Sequence, residues 1–422
     1  MFWFLTHGVA LYFIFLFTNI SATRYNFEID TDFEQTRLPN PLPSLVSSLL
    51  SNNEAADAIA MAPLNTHAST SDVSTIRFIS VITRHGSRSP TETYPKDPYP
   101  YTNPKFWPDG PGQLTRFGKQ QLYATGQTLR MRYNGFLNVN YFPNDNIVRS
   151  NRYDRDFMSA ACLLAGLYPP AGYQLWNPAI LWQPIPIWEE LFDVAELAER
   201  PGQCPRYAAE QKKAITELNR HSGRYKKLFS YLSKHMGKKI THITSIIDVW
   251  DVLQLQMENG YKLPQWTKSV FPEKIARLYA ISFNTVVSGT PEMIRLTAGP
   301  VMKMVNQQLV KKASGKMKPD RLLFIEAAHD TTLQALLSSL GYEDPFPIET
   351  SAFMVFELHE STEGHTVQVL YYNSSAHIIP NVLDPPNCRK PCSLTAFSKF
   401  VNSIAPADWE AECNNATSDS DT

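Results

Sequence analysis

The segment Thr83-Arg84-His85-Gly86-Ser87-Arg88-Ser89-Pro90 constrains this chain most, because it sets two guanidiniums around one imidazole. The run before it, Ile76-Arg77-Phe78-Ile79-Ser80-Val81-Ile82, is alternating and rich in β-branched residues, the pattern of a buried strand. A strand that stops in Arg-His-Gly delivers polar side chains to its carboxyl end, where open α/β sheets hold their ligands. Gly86 permits a sharp turn, and Pro90 keeps the segment out of a helix interior. Two guanidiniums beside an imidazole are costly unless an anion sits among them, and the planar fork of arginine suits phosphate oxygens. The same positive field disfavours an imidazolium, so His85 is expected to stay a neutral nucleophile in mild acid.

Arg-His-Gly-x-Arg-x-Pro resembles the signature of the histidine acid phosphatases, and the chain is similar to their prostatic and lysosomal branch. A second match follows the strand-like run Arg321 to Ala328: His329-Asp330, with Thr331 and Thr332 behind it. His-Asp alone has almost no specificity, but at a strand–helix junction downstream of the first motif it becomes informative. Thr331 and Thr332 are expected to cap a helix from Leu333 to Leu340. The resemblance covers roughly Ile76 to Cys413.

The resemblance implies an α/β fold of the phosphoglycerate-mutase type: a mostly parallel central sheet flanked by helices, with an inserted smaller helical lid domain. It implies two-step phosphoryl transfer in which His85 attacks phosphorus, Arg84, Arg88, Arg149 and His329 hold the phosphate oxygens, and Asp330 protonates the leaving alcohol. Arg149 takes the third arginine's role from the match of Val148-Arg149-Ser150, with Asp154-Arg155 and Met158-Ser159-Ala160 after it. Arg152 and Arg155 are read as helix-surface or salt-bridge residues. Neither metal nor cofactor is required, because the guanidiniums do a cation's work. Ser87 stands where the prostatic branch often has Asp, a departure that touches local hydrogen bonding and substrate preference rather than a catalytic group. Thr332 stands where phytase relatives usually have Asn, which favours a broad monoester phosphatase. A phytase-like enzyme and an inactive secreted binding relative are the alternatives. Against the latter stand the intact Arg84, His85, Arg88, Arg149, His329 and Asp330.

The rest of the chain bounds this reading. Lys and Arg number 39 against 40 Asp and Glu, a balance that gives no sign of a nucleic-acid partner. Residues 1–22 read as a signal peptide, and 23–74, rich in Ser, Asn, Ala and Pro, as a flexible extension or pro-segment. The α/β core is expected at 75–170 and 271–413, the helical insert at 171–270 and a polar tail at 414–422. A helix is expected from Leu114 to about Tyr133, another from Asp156 to Leu167, and a long helical run from Glu273 to Val310. Nine Lys and Arg residues between Lys212 and Lys239 are read as a solvated face before a steering field. No later apolar run spans a bilayer, so secretion is preferred over a lysosome-like compartment, with no stable membrane insertion after signal cleavage.

Five cysteines fit an oxidising compartment and on their own allow many pairings. The family's Cys-Pro-Arg and Asp-Trp-x-x-x-Cys segments match at Cys204 and Cys413 and imply one bridge. Cys388 and Cys392 close a short local loop, which leaves Cys162 as a buried free thiol. Asn373 and Asn415 head sequons, and the resemblance implies a homodimer acting on phosphomonoesters. Competing chemistries leave no trace: there is no cysteine-phosphatase loop, no Gly-x-Ser-x-Gly, no His-Glu-x-x-His and no Walker-type phosphate cradle.

Overall fold

A computed structural model describes residues 73–342 and 344–414 of the chain. The expected signal peptide, nearly all of the 23–74 extension and the Asn415 sequon lie outside the described residues.

Strand β1 (Ile76–Arg84) is followed by helix α1 (Arg116–Arg132), strand β2 (Asn146–Ser150), helix α2 (Asp154–Leu167) and the short strand β3 (Trp188–Glu189). Four helices come next: α3 (Val194–Glu199), α4 (Pro205–Arg220), α5 (Lys226–Met236) and α6 (Ile246–Glu258). Helices α7 (Glu273–Ser288) and α8 (Pro291–Ala313) lead into β4 (Leu323–Ala328) and α9 (Asp330–Ser339). Strands β5 (Phe353–Ser361), β6 (Gly364–Tyr372) and β7 (Asn381–Leu383) precede α10 (Leu394–Ile404) and α11 (Trp409–Asn414).

The seven strands form one sheet in the order β3-β2-β4-β1-β5-β6-β7. Pairings β2–β3, β2–β4 and β1–β4 are parallel, whereas β1–β5, β5–β6 and β6–β7 are antiparallel. The expected α/β architecture, a central sheet between helices, is what the chain adopts. Its parallel pairings gather in the half where the carboxyl ends of β1, β2 and β4 meet, which is the half that matters for chemistry.

Alternation sends Phe78, Ile82, Phe324 and Met354 to one face of the sheet, against Val301, Val305, Leu333, Leu336 and Phe397 of α8, α9 and α10. Ile79, Val81, Ile325 and Val355 face the other way, against Leu122, Leu129, Leu163 and Leu167 of α1 and α2. Both faces of β1 are therefore covered, which is why its sequence reads as nearly continuous hydrophobe.

The helical insert has a core of its own, built on Phe229, Leu232, Met236, Ile246, Val249 and Leu253. That core continues onto Phe271, Ile275, Leu278 and Tyr279, so the packing unit runs past residue 270 into α7. The single run expected from Glu273 to Val310 is two helices. Pro291 opens the second, and the Thr290 hydroxyl caps it by accepting the Met293 N–H at 3.2 Å. Pro300 sits inside α8 and has no N–H for the Leu296 carbonyl four residues back. The Trp409 indole donates to that carbonyl at 2.9 Å, so α11 repairs the gap.

Both expected disulfides are present. Cys204–Cys413 ties the start of α4 to α11 across 209 residues of sequence, and Cys388–Cys392 closes the short loop before α10. Cys162 is free but half-buried rather than buried, with burial pushing its thiol pKa up. No helix among the described residues is long and apolar enough to cross a membrane.

Candidate active site

Parallel register makes the site. Arg84 pairs with Ala328 across β1 and β4, and Ser150 of β2 pairs with Ala327, so three strands end on one edge. The His85 N–H continues the ladder by donating to the Ala328 carbonyl at 3.0 Å, and the His85 carbonyl accepts from Ser351 N at 3.0 Å. Beyond it the loop turns at Gly86, whose N–H donates to Ser159 Oγ at 3.2 Å. Here two backbones touch. A Cβ on Gly86 would lie 2.4 Å from the Gly118 carbonyl oxygen, and one on Gly118 would lie 2.1 Å from Ser87 O. The segment Leu114-Thr115-Arg116-Phe117-Gly118 at the head of α1 is thus a seat for the nucleophile loop.

His85 is buried, and its Nδ1 lies 2.8 Å from the Gly86 carbonyl. A proton on Nδ1 makes that hydrogen bond and leaves the lone pair on Nε2 for attack. Burial, then Arg155, Arg84, His329 and Arg88, holds the His85 pKa well below that of an ordinary histidine. The expectation of a neutral imidazole in mild acid follows from this surrounding.

A cavity of about 380 Å³ opens over these groups, lined by His85, Arg88, Arg155, His329 and Asp330 at its polar end. Arg84 lies beside it, with Nη2 2.7 Å from Asp330 Oδ2 and Nη1 donating to the Ile348 carbonyl. Burial works against the charge on Arg84, but Asp330 and its neighbours outweigh it and raise the guanidinium pKa. Arg88 Nη2 pairs with Asp251 of α6 at 2.9 Å. Asp330 is the first residue of α9, and its Oδ1 accepts the Thr331 N–H at 2.9 Å. The helix therefore begins three residues before the expected Leu333. His329 is its cap residue, so Thr331 and Thr332 are inside it instead of capping it.

Arg149 is a correction. It falls within β2, where its side chain pairs with Glu190 at 2.8 Å and sits across from the buried Glu326, and it does not line the cavity. Arg155, read from the sequence as a surface or salt-bridge residue, lines it instead. It occupies the first turn of α2, its guanidinium lies 4.2 Å over the Tyr153 ring, and its buried Nε–H has no protein partner. Among the described residues no carboxylate lies within ion-pair distance of Arg155, which leaves its fork to an anion.

Sequence reasoning also missed the acids behind His329. Its Nε2 lies 3.0 Å from Asp156 Oδ2 and 3.6 Å from Asp193 Oδ2. Burial alone would lower the His329 pKa, but the two carboxylates raise it to about 9. His329 is therefore an imidazolium in acid, with Nδ1–H left to donate. His85, Asp156 and His329 offer ligand atoms within 4.8 Å of one another. A protonated His329 and the arginines around His85 oppose a cation there, and the donor set suits an anion.

Above the polar end the walls are apolar, with Met236, Ile240, Val249, Val252, Tyr279 and Phe283. Exposed Glu92, Glu199 and Asp248 stand at the mouth with one lysine, Lys238, which contacts Glu92 at 2.8 Å and Asp248 at 3.4 Å. Of the nine basic residues between Lys212 and Lys239, Lys238 alone reaches the lining, in keeping with a solvated face for the rest.

The family model described as the histidine phosphatase superfamily, branch 2, matches residues 75–372. Human lysosomal acid phosphatase is 34% identical over 352 residues, 82% of each chain. Human prostatic acid phosphatase is 31% identical, covering 81% of this chain and 89% of that one. Among solved structures, the apo form of a Hafnia alvei phytase superposes with a TM-score of 0.60 at 16% identity, covering 80% of this chain and 98% of that one. The phytase from Citrobacter braakii gives 0.59 at 20% identity, covering 80% and 99%.

Proposed function

The chain belongs to branch 2 of the histidine phosphatase superfamily and is an acid phosphatase acting on phosphomonoesters, and we propose that it works through a phosphohistidine on His85 with Asp330 as proton donor. The observation that carries the proposal is the His85 geometry: Nδ1 is committed to Gly86, burial and arginines keep the ring neutral, and Nε2 is left as the nucleophile.

In the first step Nε2 attacks phosphorus, the bond to the alcohol oxygen breaks, and Asp330 gives that oxygen its proton. Arg88, Arg155 and His329 hold the equatorial oxygens, with Arg84 steadying Asp330. In the second step water attacks phosphorus, the P–N bond breaks, Asp330 takes the water's proton, and inorganic phosphate leaves. The test is a leaving-group series. Asp330→Asn is expected to lose far more kcat on alkyl phosphates, whose alkoxides need the proton, than on p-nitrophenyl phosphate. Equal losses on both would remove Asp330 from the proton-donor role.

The acidic mouth favours a broad monoesterase over a phytase-like enzyme, because further phosphates on a substrate would meet Glu92, Glu199 and Asp248. Secretion is supported by the apolar residues 1–22 and the two disulfides. Glycosylation at Asn373 and Asn415 is part of this reading. The Asn373 amide is half-buried, accepting from Tyr371 at 2.6 Å and donating to Pro347 at 3.4 Å, and a mobility shift on glycosidase treatment is the check. A homodimer is supported by exposed Trp176, Leu181, Trp188 and Leu191 about the edge strand β3, and sedimentation mass decides it.

A further inference from the structure

Behind the nucleophile loop lies a carboxyl that the two steps above do not use. Glu258 ends α6, and neither it nor the groups it touches line the cavity. Over the whole residue Glu258 is half-buried, but the carboxyl is its inner end, with Oε2 buried and unpartnered. Oε1 accepts from Gln254 Nε2 at 3.0 Å and from the Thr350 hydroxyl at 3.1 Å. Thr350 in turn accepts from Gln121 Nε2 at 2.9 Å, and Gln121 Oε1 accepts the Ser87 N–H at 2.8 Å. The next residue in the chain, Ser351, gives its N–H to the His85 carbonyl at 3.0 Å while held at φ 62, a conformation a side-chain-bearing residue rarely adopts. Asn259, following Glu258, donates to Ser87 Oγ at 3.0 Å. The end of α6 thus holds the loop after His85, at Ser87 directly and, through Thr350 and Ser351, at the His85 carbonyl.

We propose that Glu258 is a positioning residue of this reaction, holding the backbone of the nucleophile loop through Thr350, Gln121 and Ser87. The proposal rests on the phosphohistidine reading. The charged group whose field reaches this carboxyl is Arg84 on β1, with Ser87, Thr350 and Gln254 as its neutral neighbours. Burial raises the Glu258 pKa, against the pull of Ser87, Arg84, Thr350 and Gln254, so the carboxyl keeps its proton further up the pH scale than an ordinary glutamate. Protonated, it braces the loop as a neutral group; ionised, it leaves a buried charge with Oε2 unpartnered beside that loop.

The experiment measures kcat and KM for p-nitrophenyl phosphate against pH in the full chain, with Glu258→Gln and Glu258→Leu beside wild type. Glu258→Gln keeps the neutral brace, so kcat in acid stays within about three-fold and the alkaline limb of the profile moves to higher pH. Glu258→Leu removes the brace; a nucleophile displaced by about 1 Å costs on the order of 10²-fold, so kcat falls by about ten- to one hundred-fold while KM changes little. Wild-type kcat in Glu258→Leu, or an unmoved alkaline limb in Glu258→Gln, overturns the proposal. If Glu258→Leu does not fold, the limb of Glu258→Gln alone decides. Wild-type turnover that survives His85→Ala would instead overturn the phosphohistidine reading, and this proposal with it.

Discussion

At the scale of single residues the site is an exercise in keeping charges apart from one another and ready for phosphate. His85 is kept neutral by burial and three arginines, while His329, 5.4 Å away between ring centroids, is kept charged by Asp156 and Asp193. One ring can attack and the other can only donate. Arg155 is the arginine with no carboxylate to answer to, and Arg149 is spent on Glu190. Arg155→Ala is therefore expected to lower kcat/KM by about 10²–10³. Arg149→Ala, on the same scale for a removed donor, should cost less than about ten-fold. The reverse order in p-nitrophenyl phosphate kinetics would restore Arg149 to the site. Five of the six residues named from the sequence do converge: Arg84, His85, Arg88, His329 and Asp330. The sixth was missed for a physical reason. Arg149 and Arg155 stand six residues apart, and strand-end reasoning selects the one in the strand, whereas the first turn of the following helix is what points into the crevice.

At the scale of elements, the legible parts were those with a strong period: β1, α1 and β4 lie close to where alternation and helical spacing put them. The split between α7 and α8 was legible in Thr290-Pro291, a cap followed by a first-turn proline, although the helical pattern on either side masked it. What no local pattern gives is the partner of the Leu296 carbonyl, because Trp409 comes from 113 residues further on. Trp409→Phe keeps the packing and removes the donor, leaving a carbonyl unpaired. Denaturant melts are expected to show a loss of about 1–2 kcal/mol with activity per folded molecule unchanged. An unchanged midpoint would mean that the Leu296 carbonyl has another support. The network around Glu258 is equally non-local, tying α6, α1 and the start of β5 to one loop.

At the scale of the whole molecule, charge is layered rather than massed. The chain is nearly neutral overall, yet cations sit at the cavity's base, hydrophobes along its walls and carboxylates at its mouth. A compact aryl monoester sets its one phosphate among the cations and its ring along the hydrophobes, whereas inositol hexakisphosphate leaves five more phosphates against an acidic rim. The kcat/KM for the aryl ester is expected to exceed that for the hexakisphosphate, and the gap to narrow with added salt as the rim is screened. A gap absent at low ionic strength would favour the phytase-like alternative. Such layering is invisible in composition, since Glu92, Glu199 and Asp248 come from three separate stretches.

The central claim is that phosphate passes through His85, and trapping the intermediate tests it most directly. Enzyme mixed with a ³²P-labelled monoester at acidic pH and quenched in alkali, where phosphohistidine survives, is digested and the label located. The expected result is alkali-stable, acid-labile label on the peptide containing His85, absent from His85→Ala. Label on another peptide, or turnover by His85→Ala, would contradict the account.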